Sequence, residues 1–97
     1  MGQIDIAAEL RQDNRVARDV DLQVFADALD VYVSASRNIR ENGSIVAHPR
    51  TGTPIENPYL KIQASKGAIL TKMNAVRSDR VVRLLMDEDT DAPPALP

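Results

Sequence analysis

Between Asp19 and Gly43, in "DVDLQVFADALDVYVSASRNIRENG", apolar side chains return at steps of three and four. On a helix of about 3.6 residues per turn, Leu22, Phe25, Leu29, Tyr32, Ser36 and Ile39 make one row. Val20, Val24, Ala28, Val31 and Ala35 make a second row beside it. Together they cover roughly half the circumference or more, leaving Gln23, Asp27, Asp30, Ser34, Arg37 and Glu41 as a narrow polar strip. Asp19 is expected as the N-cap, with Asp21 in the first turn, and Gly43 as a left-handed C-cap. One small neighbouring helix does not cover so wide an apolar surface, and the pattern predicts contacts between subunits.

The pattern changes in "ENGSIVAHPRTGTPIENP". "SIVAH" is β-branched, "PRTG" is a turn with proline early and glycine late, and "TPI" resumes the apolar character, so a β-hairpin is expected over 44–56. Pro54 has no amide hydrogen, which keeps the second strand short or at an edge. Asn57 and Pro58 then read as an N-cap followed by a favoured first helical residue. The next helix carries Ile62, Ile69, Met73 and Val76 in one row, with Tyr59, Lys66 and Leu70 at its margin. Small residues, Ala64, Gly67, Ala68, Thr71 and Ala75, lie beside that row and admit another helix closely; the long helix is the expected partner. "IDIAAELRQDN" is expected to form a short capping helix through Ile4, Ile6, Ala7 and Leu10. "SDRVVRLLM" reads as a short terminal helix starting at Ser78. The fold class is thus mainly α with one small hairpin, a single domain over 1–86 that self-associates, and 87–97 an acidic, proline-rich, disordered tail.

Size supports that reading, because a chain of 97 residues holds a modest core and gains from self-association. The chain has no cysteine, which removes disulfides and thiolate metal sites and suits a reducing compartment. The apolar tract Ile4 to Leu10 is interrupted by Asp5 and Glu9, so neither a signal peptide nor a membrane span is expected, and a soluble, cytosolic protein is. The net charge of −2 hides blocks: 1–31 carries −4, 32–57 carries +1, 58–86 carries +5 and 87–97 carries −4. That balance excludes a generally basic nucleic-acid binder and leaves one basic segment as a candidate.

Catalytic patterns are absent. His48 is the single histidine and precedes a proline at a hairpin tip, where it reads as a surface turn or edge-strand residue. "RTGT" lacks the spacing and lysine of a phosphate-cradling loop. The acids Asp87, Glu88, Asp89 and Asp91 lack the glycine spacing of a calcium loop. No enzyme, cofactor or metal site is expected. The basic residues Lys61, Lys66, Lys72, Arg77, Arg80 and Arg83 have two readings, a solvated helix exterior or a polyanion contact that gains from repetition around an oligomer. The acidic tail has two as well, a solubility device or a tether for a partner with a basic groove.

The order of these elements, with "PRTGTPIENP", "NPYLKIQASKGAILTKM" and the terminal "SDRVVRLL", resembles the phage terminase small-subunit family with its helix, hairpin and helix core. The resemblance spans roughly Ile6 to Leu85, and Gly43, Asn57 with Pro58, and Arg80 with Leu84 are its most diagnostic positions. It implies a ring-shaped homo-oligomer that engages double-stranded viral DNA and regulates the large terminase subunit, an ATPase and nuclease. The acidic N-terminal block and the lack of a basic recognition helix depart from longer members and point to weak, non-specific DNA contact, as in a prophage-derived or gene-transfer packaging system. On this reading DNA meets Lys61, Lys66, Lys72, Arg77, Arg80 and Arg83. Subunits meet through Val24, Phe25, Ala28, Val31, Tyr32, Ile45, Val46 and Ile55, with Arg50 and Thr51 at the exposed hairpin tip. The large subunit meets Asp87, Glu88, Asp89 and Asp91. A reading of another class is a small helical regulatory or antitoxin-like interaction protein whose acidic ends clasp a basic partner; genomic neighbourhood separates the two.

Overall fold

The carboxylate of Asp5 accepts a hydrogen bond from the Ala8 amide at 3.1 Å, so the first helix, α1 (Ile6–Asp13), starts on a side-chain cap. The computed structural model describes residues 4–89. After α1 come α2 (Asp19–Asn42), β1 (Ile45–Ala47), β2 (Pro54–Glu56), α3 (Tyr59–Lys72) and α4 (Asp79–Asp89). The expected sequence of helix, long helix, hairpin, helix and terminal helix is therefore present.

Several helix ends differ from the sequence expectation, α3 among them: it stops at Lys72, and Met73, Ala75 and Val76, read as part of its rows, lie beyond it. Asp19 is the first residue of α2 and not its cap; Arg18 holds the cap position without a side-chain hydrogen bond. The Asp19 carboxylate instead pairs with Arg11, whose guanidinium also donates to the carbonyls of Asn14 and Arg15 and closes the α1–α2 loop. Asp19 and Asp21 still favour the helix dipole from the first turn. Gly43 has φ 87° as glycine alone readily allows, but ψ 175° sends the chain straight into β1 and not into the left-handed helical basin. At the other end of the chain α4 continues through Asp89. The expected tail boundary at residue 87 is three residues early, since nothing in Asp87, Glu88 or Asp89 breaks a helix. Residues 90–97 lie outside the described part.

The core lies between α1, α2 and α4. Leu10, Leu22, Phe25, Ala26, Leu29, Val33, Val81 and Leu85 form one buried cluster, with Ile4, Ile6 and Ala7 packed at its edge. Burying each large aliphatic or aromatic side chain of this set stabilises the fold by about 1.5–3 kcal/mol. Ala26 and Val33, outside the two rows read from the sequence, face this cluster. α3 lies along a different side of α2 and has no fully buried residue of its own. Its Leu70, and Met73 and Val76 just beyond it, reach the edge of the core.

Two buried asparagines fix the corners. Asn57, 1% exposed, donates through Nδ2 to Asn38 Oδ1 (3.0 Å) and to the Gly43 carbonyl (2.9 Å). Its Oδ1 accepts the Tyr59 amide at 2.9 Å, so it caps α3 as the sequence suggested while also gripping the end of α2. Asn14 does the same at the opposite pole. Its Nδ2 donates to the carbonyls of Leu10 and Arg77, both at 2.8 Å, and its Oδ1 accepts the Arg77 amide at 2.7 Å. Each corner is thereby satisfied without water.

The α2–α3 pair is antiparallel, with Gln63 donating to Ser36 Oγ at 3.0 Å and the Tyr32 ring lying over Gly67. A Cβ at Gly67 would stand 3.2 Å from Tyr32 Cε1. Gly67→Ala should leave stability within about 0.5 kcal/mol, because the half-buried ring has room to yield and helix propensity improves. Gly67→Leu should lower it by about 1–3 kcal/mol by prising α3 from α2. Urea denaturation followed by circular dichroism reads both.

Candidate functional site

Apolar surface that one subunit leaves in water is the most conspicuous feature of α2. Val20, Val24 and Val31 are 59%, 46% and 38% exposed, and steps of four and seven put them on one line along the helix. Val16, in the loop before α2, is 98% exposed. Asp27, three residues after Val24 and four before Val31, interrupts this ridge with a carboxylate, and Gln23 donates to it at 3.0 Å; Asp30 stands on the side away from α3. On α3 the exposed Ile62 and half-buried Ile69 stand on the flank nearest the ridge. The sequence reading did not include Val16, Val20 or Ile62 among the contact residues. Val20 carried a signal as the first member of the second α2 row, whereas Val16 sits in a loop where periodicity says nothing.

The other flank of α3 borders a groove of about 610 Å³ between α2, α3 and α4. Its floor is Phe25, Leu29 and Tyr32, and small residues of α3, Ala64, Gly67 and Thr71, form one wall. Phe25 and Ala28, expected at a subunit contact, are 3% and 4% exposed and belong to the interior of a single subunit. Periodicity ranks apolar positions without saying which helix covers them. Tyr32 is half-buried under α3, whereas Val24 and Val31 are open to a partner.

At the pole beyond α2, Ile45 pairs with Glu56, Val46 with Ile55 and Ala47 with Pro54 across the hairpin. Side chains alternate faces, so Val46 and Ile55 turn inward and are half-buried, while Ile45 is 61% exposed. Ile45 remains available to a neighbour. Arg50 and Thr51 are exposed at the tip, as expected. His48 has an architectural duty there: its Nδ1 accepts the Arg50 amide at 3.0 Å and the Thr51 amide at 3.4 Å. Gly52 closes the turn at φ 76°.

The six basic residues do not form one patch. Lys61 and Lys72 share the outward face of α3, about 16 Å apart along the helix. Lys66 stands on the ridge side and is half-buried. Arg77 follows α3 and Arg83 lies on the outer face of α4, both exposed. Arg80 is committed elsewhere. Its Nη1 donates to Glu9 Oε1 at 3.0 Å, its Nε to Asp13 Oδ2 at 2.9 Å and its Nη2 to the Glu9 carbonyl at 2.8 Å. Hydrogen bonds to Glu9 first and Asp13 second raise the Arg80 pKa above the ordinary arginine value against a desolvation penalty. A raised basic pKa adds stability that is lost only as pH climbs through it, so the Arg80 guanidinium stays charged across neutral pH. Arg80 therefore ties α4 to α1 and is withdrawn from any phosphate contact. Asp87, Glu88 and Asp89 fall in the last turn of α4, and Asp91 lies outside the described residues.

Among the described residues, no three His, Asp or Glu side chains gather where they would hold a metal ion. No helix among them is long and apolar enough to cross a membrane. No protein-family model, curated protein or solved structure matches the chain. The arrangement presents two apolar surfaces on opposite flanks of α3, an exposed isoleucine at the hairpin, and cations on α3 and α4.

Proposed function

We propose that this chain is a non-catalytic, self-assembling adaptor, the small subunit of a viral-type DNA-packaging terminase. One observation carries the proposal: Val20, Val24 and Val31 leave apolar side chains in water along the first half of α2, and Val16 does so in the loop before it. Such a surface on so small a domain asks for a partner, and a second copy is always at hand. The order of helix, hairpin, helix and terminal helix supports the same assignment through the resemblance quoted above. Lys61, Lys72, Arg77 and Arg83 then supply weak DNA contacts that add up around a ring, and the acidic stretch of Asp87, Glu88, Asp89 and Asp91 is the surface offered to the large ATPase and nuclease subunit. The assembly works in the host cytoplasm.

Native mass spectrometry of the purified chain tests the assembly. A multimer at micromolar concentration is the expected result, and a folded monomer would end the proposal. DNA affinity, read by fluorescence anisotropy, should fall about a hundredfold between 50 and 200 mM salt if about four phosphates are neutralised. Binding that ignores salt would rule out a phosphate-dominated contact.

A further inference from the structure

We infer that Asn42 is a chemical modification site, where the side-chain amide is lost by cyclisation onto the Gly43 nitrogen, and that the corner built around Gly43 sets the rate. The inference does not rest on the adaptor reading. Five asparagines occur in the chain, at positions 14, 38, 42, 57 and 74, and Asn42 is the one followed by glycine. With no Cβ on the next residue, the attacking nitrogen is unscreened. Asn14, Asn38 and Asn74 precede Arg15, Ile39 and Ala75, whose side chains crowd that approach. Asn57 precedes a proline, whose nitrogen has no hydrogen to give up.

The step needs only water and hydroxide. Hydroxide takes the Gly43 amide proton, the nitrogen attacks Asn42 Cγ, and the Cγ–Nδ2 bond breaks as ammonia leaves with a proton from water, which restores the hydroxide. Water then opens the five-membered imide. Opening at Cγ gives aspartate; opening at the main-chain carbonyl carbon gives isoaspartate, whose chain runs through Cβ and Cγ. Each conversion consumes one water and releases one ammonia.

In the folded chain this route is guarded. Asn42 is exposed at the last position of α2, so water and hydroxide reach it. The Gly43 N–H, whose proton must leave, donates to the Ile39 carbonyl at 2.7 Å, and the Gly43 carbonyl accepts from Asn57 Nδ2 at 2.9 Å. A helical residue has to turn about its Cα–C bond before the ring closes, and that turn breaks the bond to Ile39. The reaction therefore proceeds from frayed states of the last turn, and the free energy of that opening sets its rate.

The product no longer fits the corner that guarded it. Either form places a carboxylate at the negative end of the helix dipole. Isoaspartate also lengthens the main chain by one carbon, so the Gly43 nitrogen and oxygen no longer meet Ile39 and Asn57 together. β1 starts at Ile45, and the Asn57 amide donates to the Ser44 carbonyl at 2.7 Å, so the hairpin loses its seat on α2.

Trypsin releases residues 41–50 as a peptide in which Asn42 is the single asparagine, which makes the test direct. Intact chain and chain unfolded in guanidinium chloride are held in the same mildly alkaline buffer and sampled over days by mass spectrometry, with isoaspartate separated from aspartate by chromatography. Asn42 is expected to convert first in both, at least tenfold more slowly in the folded chain, and Asn42→Gln should remove this early conversion. In the isolated isoaspartyl chain the His48 and Asn57 amides, bonded to Thr53 and Ser44 in the unaltered protein, should exchange with deuterium at least tenfold faster. Another asparagine converting first would show that the site is wrong. Equal rates in folded and unfolded chain would show that the corner does not guard it, and unchanged exchange would show that the hairpin does not depend on it.

Discussion

Replacing Asn57 with alanine is expected to lower the unfolding free energy by about 3–5 kcal/mol. The loss has two parts. Removing the acceptor that caps the Tyr59 amide costs about 1 kcal/mol. Asn38 Oδ1 and the Gly43 carbonyl then lose a donor, at about 1–2 kcal/mol each, the lower part of the range for a stranded acceptor because neither residue is fully buried. Against a typical domain stability of about 5–15 kcal/mol this is a large fraction. Asn57→Asp separates the parts, since it keeps a good cap but brings a carboxylate against two acceptors. It should be at least as damaging as alanine in urea denaturation. Recovery of parental stability by aspartate would show that capping is the whole of the residue's role.

Phe25→Ala is expected to cost about 3–5 kcal/mol through lost burial and the cavity left between α1, α2 and α4. The effect belongs to the single subunit. It should therefore appear as an earlier thermal or urea transition at every protein concentration, whereas Val24→Ser, on the exposed ridge, should move the stability of the isolated subunit by no more than about 0.5 kcal/mol. A stable subunit that merely fails to assemble would put the ring at an interface after all.

This contrast marks where the sequence was readable. Period and punctuation located every described helix and the hairpin, because Asn57 with Pro58, Gly43 and the Pro49 to Gly52 turn each impose a local conformation on the backbone. Which apolar row faces inward was not readable, since Phe25 and Val24 follow the same helical period and differ only in what covers them. Covering is decided by α1 and α4, whose places depend on Asn14 and Arg80, two polar residues that make their contacts more than sixty positions away. The basic residues show the same limit. Arg80 looks like Arg77 and Arg83 in the sequence, and only the folded chain reveals that Glu9 and Asp13 have claimed it.

The clasp formed by Arg80 and Asn14 also sets an order of events during biosynthesis. Its partners are separated by 63 to 71 positions, from Asn14 with Arg77 to Glu9 with Arg80. A ribosome adding about 5–20 residues per second needs about 4–14 s to cross that gap. Through this interval the first helix has nowhere permanent to dock, and Leu10 waits for Val81. That part of the nascent chain thus stays adhesive until α4 has been made, a window in which chaperones, or sibling chains on the same polysome, meet it first.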